Sequence, residues 1–225
     1  MTELSDLEKV ERNVLTLEHI ENQTEEICLA AVKQDGWDLE FVKEQTPEIC
    51  ITAVREAGYV LDFVENQTEE ICLAAVQQNG YALEFVKKQT PEICLEAVQQ
   101  NGWALGYVKK QTTEICLEAI KQYAYALRHV ENQTEELCLE AVKRDGFAIQ
   151  YVKNQTPELC LISVKSDGSN LRYVIDQTPE LCVAAVNQRQ FARKYAYPEF
   201  KFLFKKEFDG LSLEEIKAKV PELFL

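Results

Sequence analysis

Histidine is almost absent from this chain: His19 and His129 are the two in 225 residues. No Ser-His-Asp or Cys-His site is apparent with so few. Cysteine is present eight times, but no Cys-x-x-Cys pair occurs, and a metal site needs several ligands converging on one point. No apolar run approaches the ~20 residues of a membrane span. Positive charge is scarce, with 24 Lys and Arg against 38 Asp and Glu, a net charge of −14. That balance argues against binding a nucleic-acid backbone, since each phosphate contact asks for a Lys or Arg, and equally against anionic membranes. The N-terminus, MTELSDLEKVE, lacks the basic start and apolar run of a signal peptide. The expectation is a soluble, intracellular, cytoplasmic protein whose partners include neither nucleic acid nor membrane. Asn-Gln-Thr triplets at Asn22, Asn66, Asn132 and Asn154 fit the glycosylation sequon. With no secretory signal they read as by-products of a repeat.

Repetition dominates what is there. Gln-Thr pairs begin at Gln23, Gln45, Gln67, Gln89, Gln111, Gln133, Gln155 and Gln177, always 22 residues apart. A regular period in this range marks stacked repeats. Each copy reads as helix, tight turn, helix. In QTPEICLEAVQQNGWALGYVKK, Thr90 suits an N-cap, Pro91 the first helical position and Glu92 the positive end of the helix dipole. The first helix runs to about Gln100. Asn101-Gly102 is expected to end it with a left-handed glycine, and a second helix to cover about Trp103 to Lys109. Ala124 and Gln190 replace that glycine in copies five and eight, so these copies are expected to turn differently. Proline-punctuated 22-residue repeats also occur in lipid-binding helices, but the mid-unit glycine and the acidic balance speak against that reading.

The fold class expected is therefore all-α, a solenoid of short helix-turn-helix repeats in a single array. Residues 1–22 form a worn N-terminal capping repeat, 23–198 the eight helix pairs, and 199–225 a C-terminal helical cap. Two aromatic columns should stack along the second helices. One runs Trp37, Tyr59, Tyr81, Trp103, Tyr125, Phe147, Ser169, Phe191; the other runs Phe41, Phe63, Phe85, Tyr107, His129, Tyr151, Tyr173, Tyr195. His19 and His129 occupy the second column as packing substitutes. The eight cysteines, one per copy, lie in apolar runs and read as small buried hydrophobes, too far apart for disulfides. The Gln column reads as a set of side-chain bonds between neighbouring copies, like an amide ladder.

Charge changes at the C-terminal end: residues 1–186 carry 16 Lys and Arg against 32 Asp and Glu, and residues 187–225 carry 8 against 6. There Pro198 can start a helix with Phe200, Leu203, Phe204 and Phe208 on one face, and Ser212 with Glu215 can form a capping box. A further variable position holds Glu96, Glu118 and Glu140 in the central copies, an acidic strip suited to a basic partner. The unit QT-[PE]-E-[IL]-C-L-x-A-V-x-x-[DN]-G-x-x-L-x-[FY]-V resembles a 22-residue repeat family of unknown function, met in giant DNA viruses of amoebae, protists and some bacteria. The resemblance covers residues 23–186 and implies no established activity. It implies an intracellular source of that kind, with host cytoplasm or virion as the location if viral. These readings point to a protein that is not an enzyme, with no catalytic residue, cofactor or metal. Its expected role is a scaffold for a protein partner, with Glu96, Glu118, Glu140, Phe200, Phe204 and Phe208 as candidate surface. The alternative is a self-assembling homo-oligomer using the aromatic C-terminal segment.

Overall fold

The computed structural model describes residues 4–13, 15–205, 211–219 and 221, and every regular element among them is helical. Eight ten-residue α-helices carry the repeat: α2 (Glu25–Gln34), α3 (Pro47–Glu56), α4 (Glu69–Gln78), α5 (Pro91–Gln100), α6 (Thr113–Gln122), α7 (Glu135–Arg144), α8 (Pro157–Ser166) and α9 (Pro179–Gln188). Each is followed by a 3-10 segment: Gly36–Phe41, Gly58–Phe63, Gly80–Phe85, Gly102–Tyr107, Ala124–His129, Gly146–Tyr151, Gly168–Tyr173 and Gln190–Lys194. Before them come α1 (Asp6–Glu11) and a 3-10 turn, Leu17–His19; after them come a 3-10 segment, Pro198–Phe204, and α10 (Leu213–Lys219). This is an all-α solenoid of helix-turn-helix units at the 22-residue period. The chain divides into two compact units, residues 1–126 and 127–225. In the first, α1 to α6 pack each against the next; in the second, α7, α8 and α9 do so and α10 lies against α9.

Local chemistry fixes each α-helix start. The Thr46 hydroxyl accepts from the Ile49 N–H at 3.4 Å, and Thr156 accepts from Leu159 at 3.3 Å. The same bond recurs in every copy, satisfying one of the free N–H groups of the first turn. Burial fixes the helix face. Ile49, Cys50, Ala53 and Val54 of α3, with Leu61 and Val64 after it, are each 3% exposed or less.

The second element is a 3-10 segment of six residues in seven copies, where an α-helix of similar reach would need more residues. At ~2.0 Å per residue against ~1.5 Å, six such residues run ~12 Å, as far as about eight residues of α-helix. The short segment can therefore pack along its partner within a 22-residue unit.

The junction differs from expectation. None of the six junction glycines is left-handed. The preceding residue is extended, as at Asn101 (φ −151°, ψ 111°), and the glycine opens the 3-10 segment. Its role is close approach. A Cβ on Gly80 would lie 2.5 Å from the Ala97 carbonyl oxygen of the following copy. Copy five accordingly turns like its neighbours, with Tyr123 at φ −142°, ψ 114°, although Ala124 stands in the glycine position. Copy eight also keeps the junction, at Arg189 (φ −148°, ψ 111°), and departs only at the segment end, where Tyr195 turns helical.

At the ends, capping boxes form as Ser5 with Glu8 and Ser212 with Glu215. The segment beginning at Pro198 is 3-10 instead of α-helical. Leu203 is buried, while Phe200 and Phe204 are half-buried. Phe208 lies outside the described residues.

Candidate interaction surface

The repeated glutamine of the Gln-Thr pair holds the 3-10 edge in place. In unit 1, Gln67 Nε2 donates to the Phe85 carbonyl at 3.0 Å and to the Leu61 carbonyl of the preceding copy at 3.1 Å. Its Oε1 accepts from the Lys87 N–H at 2.9 Å. In unit 2, Gln155 does the same with Tyr173, Ile149 and Ile175. The column therefore links neighbouring copies, as expected, but through backbone groups at the ends of 3-10 segments, with no amide-to-amide ladder. Each Oε1 also accepts a weak bond from the buried cysteine of its copy, for example 3.7 Å from Cys160 and 3.6 Å from Cys94.

Two further columns were not singled out from the sequence. Gln78, Gln100 and Gln188, at the ends of their helices, accept from the N–H groups of Gly58, Gly80 and Gly168 in the preceding copies, at 2.7–2.8 Å. Lys43, Lys87, Lys109 and Lys153 reach back with their ammonium groups to carbonyls of the preceding copy. Both sets recur at the 22-residue period, so the signal was present; only the structure names the partners.

On this fixed edge sit the aromatic residues. The two columns interleave. Trp37 packs edge-on against Phe63 of the next copy at 5.9 Å, Tyr59 against Phe85 at 5.8 Å, and Tyr81 against Tyr107 at 6.1 Å. In unit 2, Phe147 packs on Tyr173 at 4.9 Å. Several rings remain open to solvent: Trp37 is 49% exposed, Tyr59 37%, Tyr107 36% and Tyr123 51%. The Glu84 carboxylate lies beside the Tyr107 hydroxyl; its charge, then burial and their hydrogen bond, raises the phenol above its ordinary value. In unit 2 cations also stand over the rings. Arg172 stands over Tyr173 at 4.5 Å, and Lys194 over Phe191 at 3.6 Å.

The expected surface glutamates lie on the α-helices. Glu96 and Glu118 are half-buried on α5 and α6 of unit 1, and Glu140 on α7 of unit 2. Glu118 pairs with Lys121 of its own helix at 3.4 Å, and Glu140 with Arg144 at 2.7 Å. These local ion pairs offset the negative charge offered to a basic partner. His129 is half-buried, and burial, helped by Arg128, lowers its pKa. His19 is exposed and hydrogen-bonded to Thr16 at 2.8 Å, so it is not a packing substitute.

All eight cysteines are free and buried. Burial, aided by Asp176, pushes the Cys160 thiol up to about 11; burial, aided by Glu180 and Glu199, pushes Cys182 up to about 12. Such thiols stay protonated and unreactive near neutral pH. Among the described residues, no three His, Cys, Asp or Glu side chains group as metal ligands, and no helix is long and apolar enough to cross a membrane.

Residues 68–111, 90–133 and 134–177 match the family model described as Domain of unknown function (DUF4116), each window opening on an N-cap threonine. Residues 68–177 are DUF4116 repeats. No curated protein and no solved structure matches the chain. The DUF4116 unit, in this chain, is thus one N-capped α-helix, one extended junction and one 3-10 segment, whose end is held by the glutamine that opens the same copy.

Proposed function

We propose that the chain is a non-catalytic scaffold that binds a protein partner through its 3-10 edge. The observation that carries this reading is the set of half-exposed rings at Trp37, Tyr59, Tyr107 and Tyr123, held on a hydrogen-bonded backbone. Large rings whose backbone is already ordered lose little entropy on binding and supply apolar area, which is why aromatics anchor interfaces. The test is a capture experiment with the full chain beside a Trp37→Ala/Tyr59→Ala/Tyr107→Ala variant of matched helicity. A partner retained by the parent and lost by the variant supports the edge. A partner retained equally by both sinks this surface.

The alternative is self-assembly near the C-terminus. One observation favours it: Ile175, Phe191 and Tyr197 are 58%, 57% and 39% exposed, and the Tyr197 hydroxyl donates to the Ile175 carbonyl at 2.8 Å. Loss of self-association on Ile175→Ser/Phe191→Ser substitution would support it.

A further inference from the structure

Charge along the 3-10 segments is segregated. In unit 1, the segments Gly36–Phe41, Gly58–Phe63 and Gly80–Phe85 carry Asp38, Glu40, Asp62 and Glu84, and Gly102–Tyr107 carries no charge; none of the four holds a Lys or Arg. In unit 2, the corresponding segments carry Arg128, Arg172, Arg193 and Lys194, with no Asp or Glu. One column accounts for most of this: Glu40, Asp62, Glu84, Gly106, Arg128, Gln150, Arg172, Lys194, spaced by the repeat. Its charged members are all exposed. Each lies beside the ring column on its own segment, so both edges combine aromatic rings with one sign of charge. Two acidic residues that precede segments of unit 2 are engaged locally, while Glu131 and Asp176 follow the Ala124–His129 and Gly168–Tyr173 segments. Asp145 and Asp167 cap the Phe147 and Ser169 N–H groups, and Asp167 also pairs with Arg189 at 3.6 Å.

Because the scaffold proposed above presents two opposite charge columns among rings, carboxylates in three consecutive copies of unit 1 and cations in three of the four copies of unit 2, with Gln150 between Arg128 and Arg172, we infer that its partner is a second copy of this chain. The acidic aromatic edge of unit 1 in one chain docks on the basic aromatic edge of unit 2 in another. The 22-residue repeat puts the same segment in successive copies of both edges, so two neighbouring carboxylates match the spacing of Arg172 and Lys194, and the third falls opposite the neutral Gln150 or beyond the column. The net charge of −14 opposes association in general, so the pairing must come from the complementary edges themselves. A two-fold pairing uses both edges of each chain and closes as a dimer; a pairing that does not close continues head to tail.

The test uses the full chain and two triple variants. The first is Glu40→Lys/Asp62→Lys/Glu84→Lys; the second is Arg128→Glu/Arg172→Glu/Lys194→Glu. Sedimentation velocity is run across a concentration series in about 0.1 M salt, where the screening length is ~10 Å. The parent is expected to associate reversibly, and about 1 M salt to weaken that association. Each variant alone should associate at least about tenfold more weakly, since like charges then face each other. An equimolar mixture of the two variants should associate again, because each supplies the edge the other needs. A parent that stays monomeric, or a mixture of folded variants that stays apart, overturns the inference. Should the second variant fail to fold, carbodiimide cross-linking of mixed light and heavy isotope-labelled parent chains decides. Light-to-heavy links from Glu40, Asp62 or Glu84 to Lys194 support the pairing, and their absence refutes it. A labelled single-stranded oligonucleotide bound at the basic edge of a monomeric chain also refutes it, and assigns that edge to a polyanion. A chain that never self-associates, yet captures a foreign protein through Trp37, Tyr59 and Tyr107, overturns the self-pairing and leaves the scaffold standing.

Discussion

The two units share a repeat backbone and differ in the charge of one exposed column. Copies at Gln67 and Gln155 place the same amide on the same three backbone groups, with distances that agree within about 0.2 Å. Yet the exposed 3-10 column reads acidic in unit 1 and basic in unit 2. The lesson is a division of labour within 22 residues. Glutamine, threonine, glycine and cysteine hold the fold at fixed positions, so the column beside the rings can reverse its charge without disturbing the backbone.

The largest effect should come from breaking the shared part. Gln67→Ala and Gln155→Ala each leave two carbonyls and one N–H without their side-chain partner. The Leu61 and Ile149 carbonyls keep a backbone donor and the N–H groups are exposed, so each substitution is expected to cost about 2–4 kcal/mol, at ~0.5–1.5 kcal/mol per hydrogen bond lost. Denaturant midpoints of the two variants should fall together. A loss confined to one variant would mean that the units are held by different means. Next come Gly80→Ala and Gly168→Ala. The added Cβ would meet the Ala97 carbonyl at 2.5 Å in the first and collide with the Ala185 carbonyl in the second. Forced repacking of this kind costs about 1–3 kcal/mol. If the glycines were needed for a left-handed turn, Gly80→Asn would be the mildest change; with close approach as the cause, Asn should be no better than Ala.

The junction also shows where the sequence could be read and where it could not. Thr90, Pro91 and the Ser212–Glu215 pair act within one turn of themselves, so their roles follow from neighbours three residues away. The period and the apolar spacing place Cys94 and Ala97 in the core without any knowledge of the partner copy. Gly102 is different, because what constrains it is a carbonyl of the following copy, at Ala119. The same holds for Gln89, whose bonds to Leu83 and Tyr107 join parts of the chain that sequence distance keeps apart. The charge column from Glu40 to Lys194 was open to inspection all along, but it acquires meaning only once those residues are known to share an exposed edge with the rings. The local partners of Glu118 and Glu140, Lys121 and Arg144 of their own helices, are likewise seen only in the structure.

Changing the variable part should barely touch stability. Asp62→Lys alters an exposed side chain on the unit 1 edge and is expected to shift unfolding by no more than about 0.5 kcal/mol. Lys194→Glu gives up contacts with the Phe191 and Tyr195 rings, at 3.6 and 4.7 Å, so a loss of up to about 1 kcal/mol is expected. Calorimetry of both variants sharpens the comparison. A loss as large as that of Gln67→Ala would show that the charged column helps hold the fold.

The smallest effect belongs to the end of unit 2, where α10 meets α9 through Lys217 and Glu180 at 2.9 Å. Burial disfavours charge on Glu180, but the hydrogen bonds from Lys217, the backbone and Thr178 outweigh it and hold the carboxyl below its ordinary value. A lowered carboxylate pKa stabilises the folded form above the unfolded value near 4.5, and the contribution disappears as pH falls through the lower folded value. Amide protection in α10, corrected for the intrinsic pH dependence of exchange, should therefore hold from pH 7 to about 5 and decline below about 4.5. Glu180→Gln should remove that decline and lower protection slightly at neutral pH, because the pair is exposed and such pairs contribute about 0–1 kcal/mol. Protection in α4, deep in unit 1, should not follow this titration. A parallel decline there would mean that acid loosens the array generally and that the Glu180 carboxylate is not the group responsible.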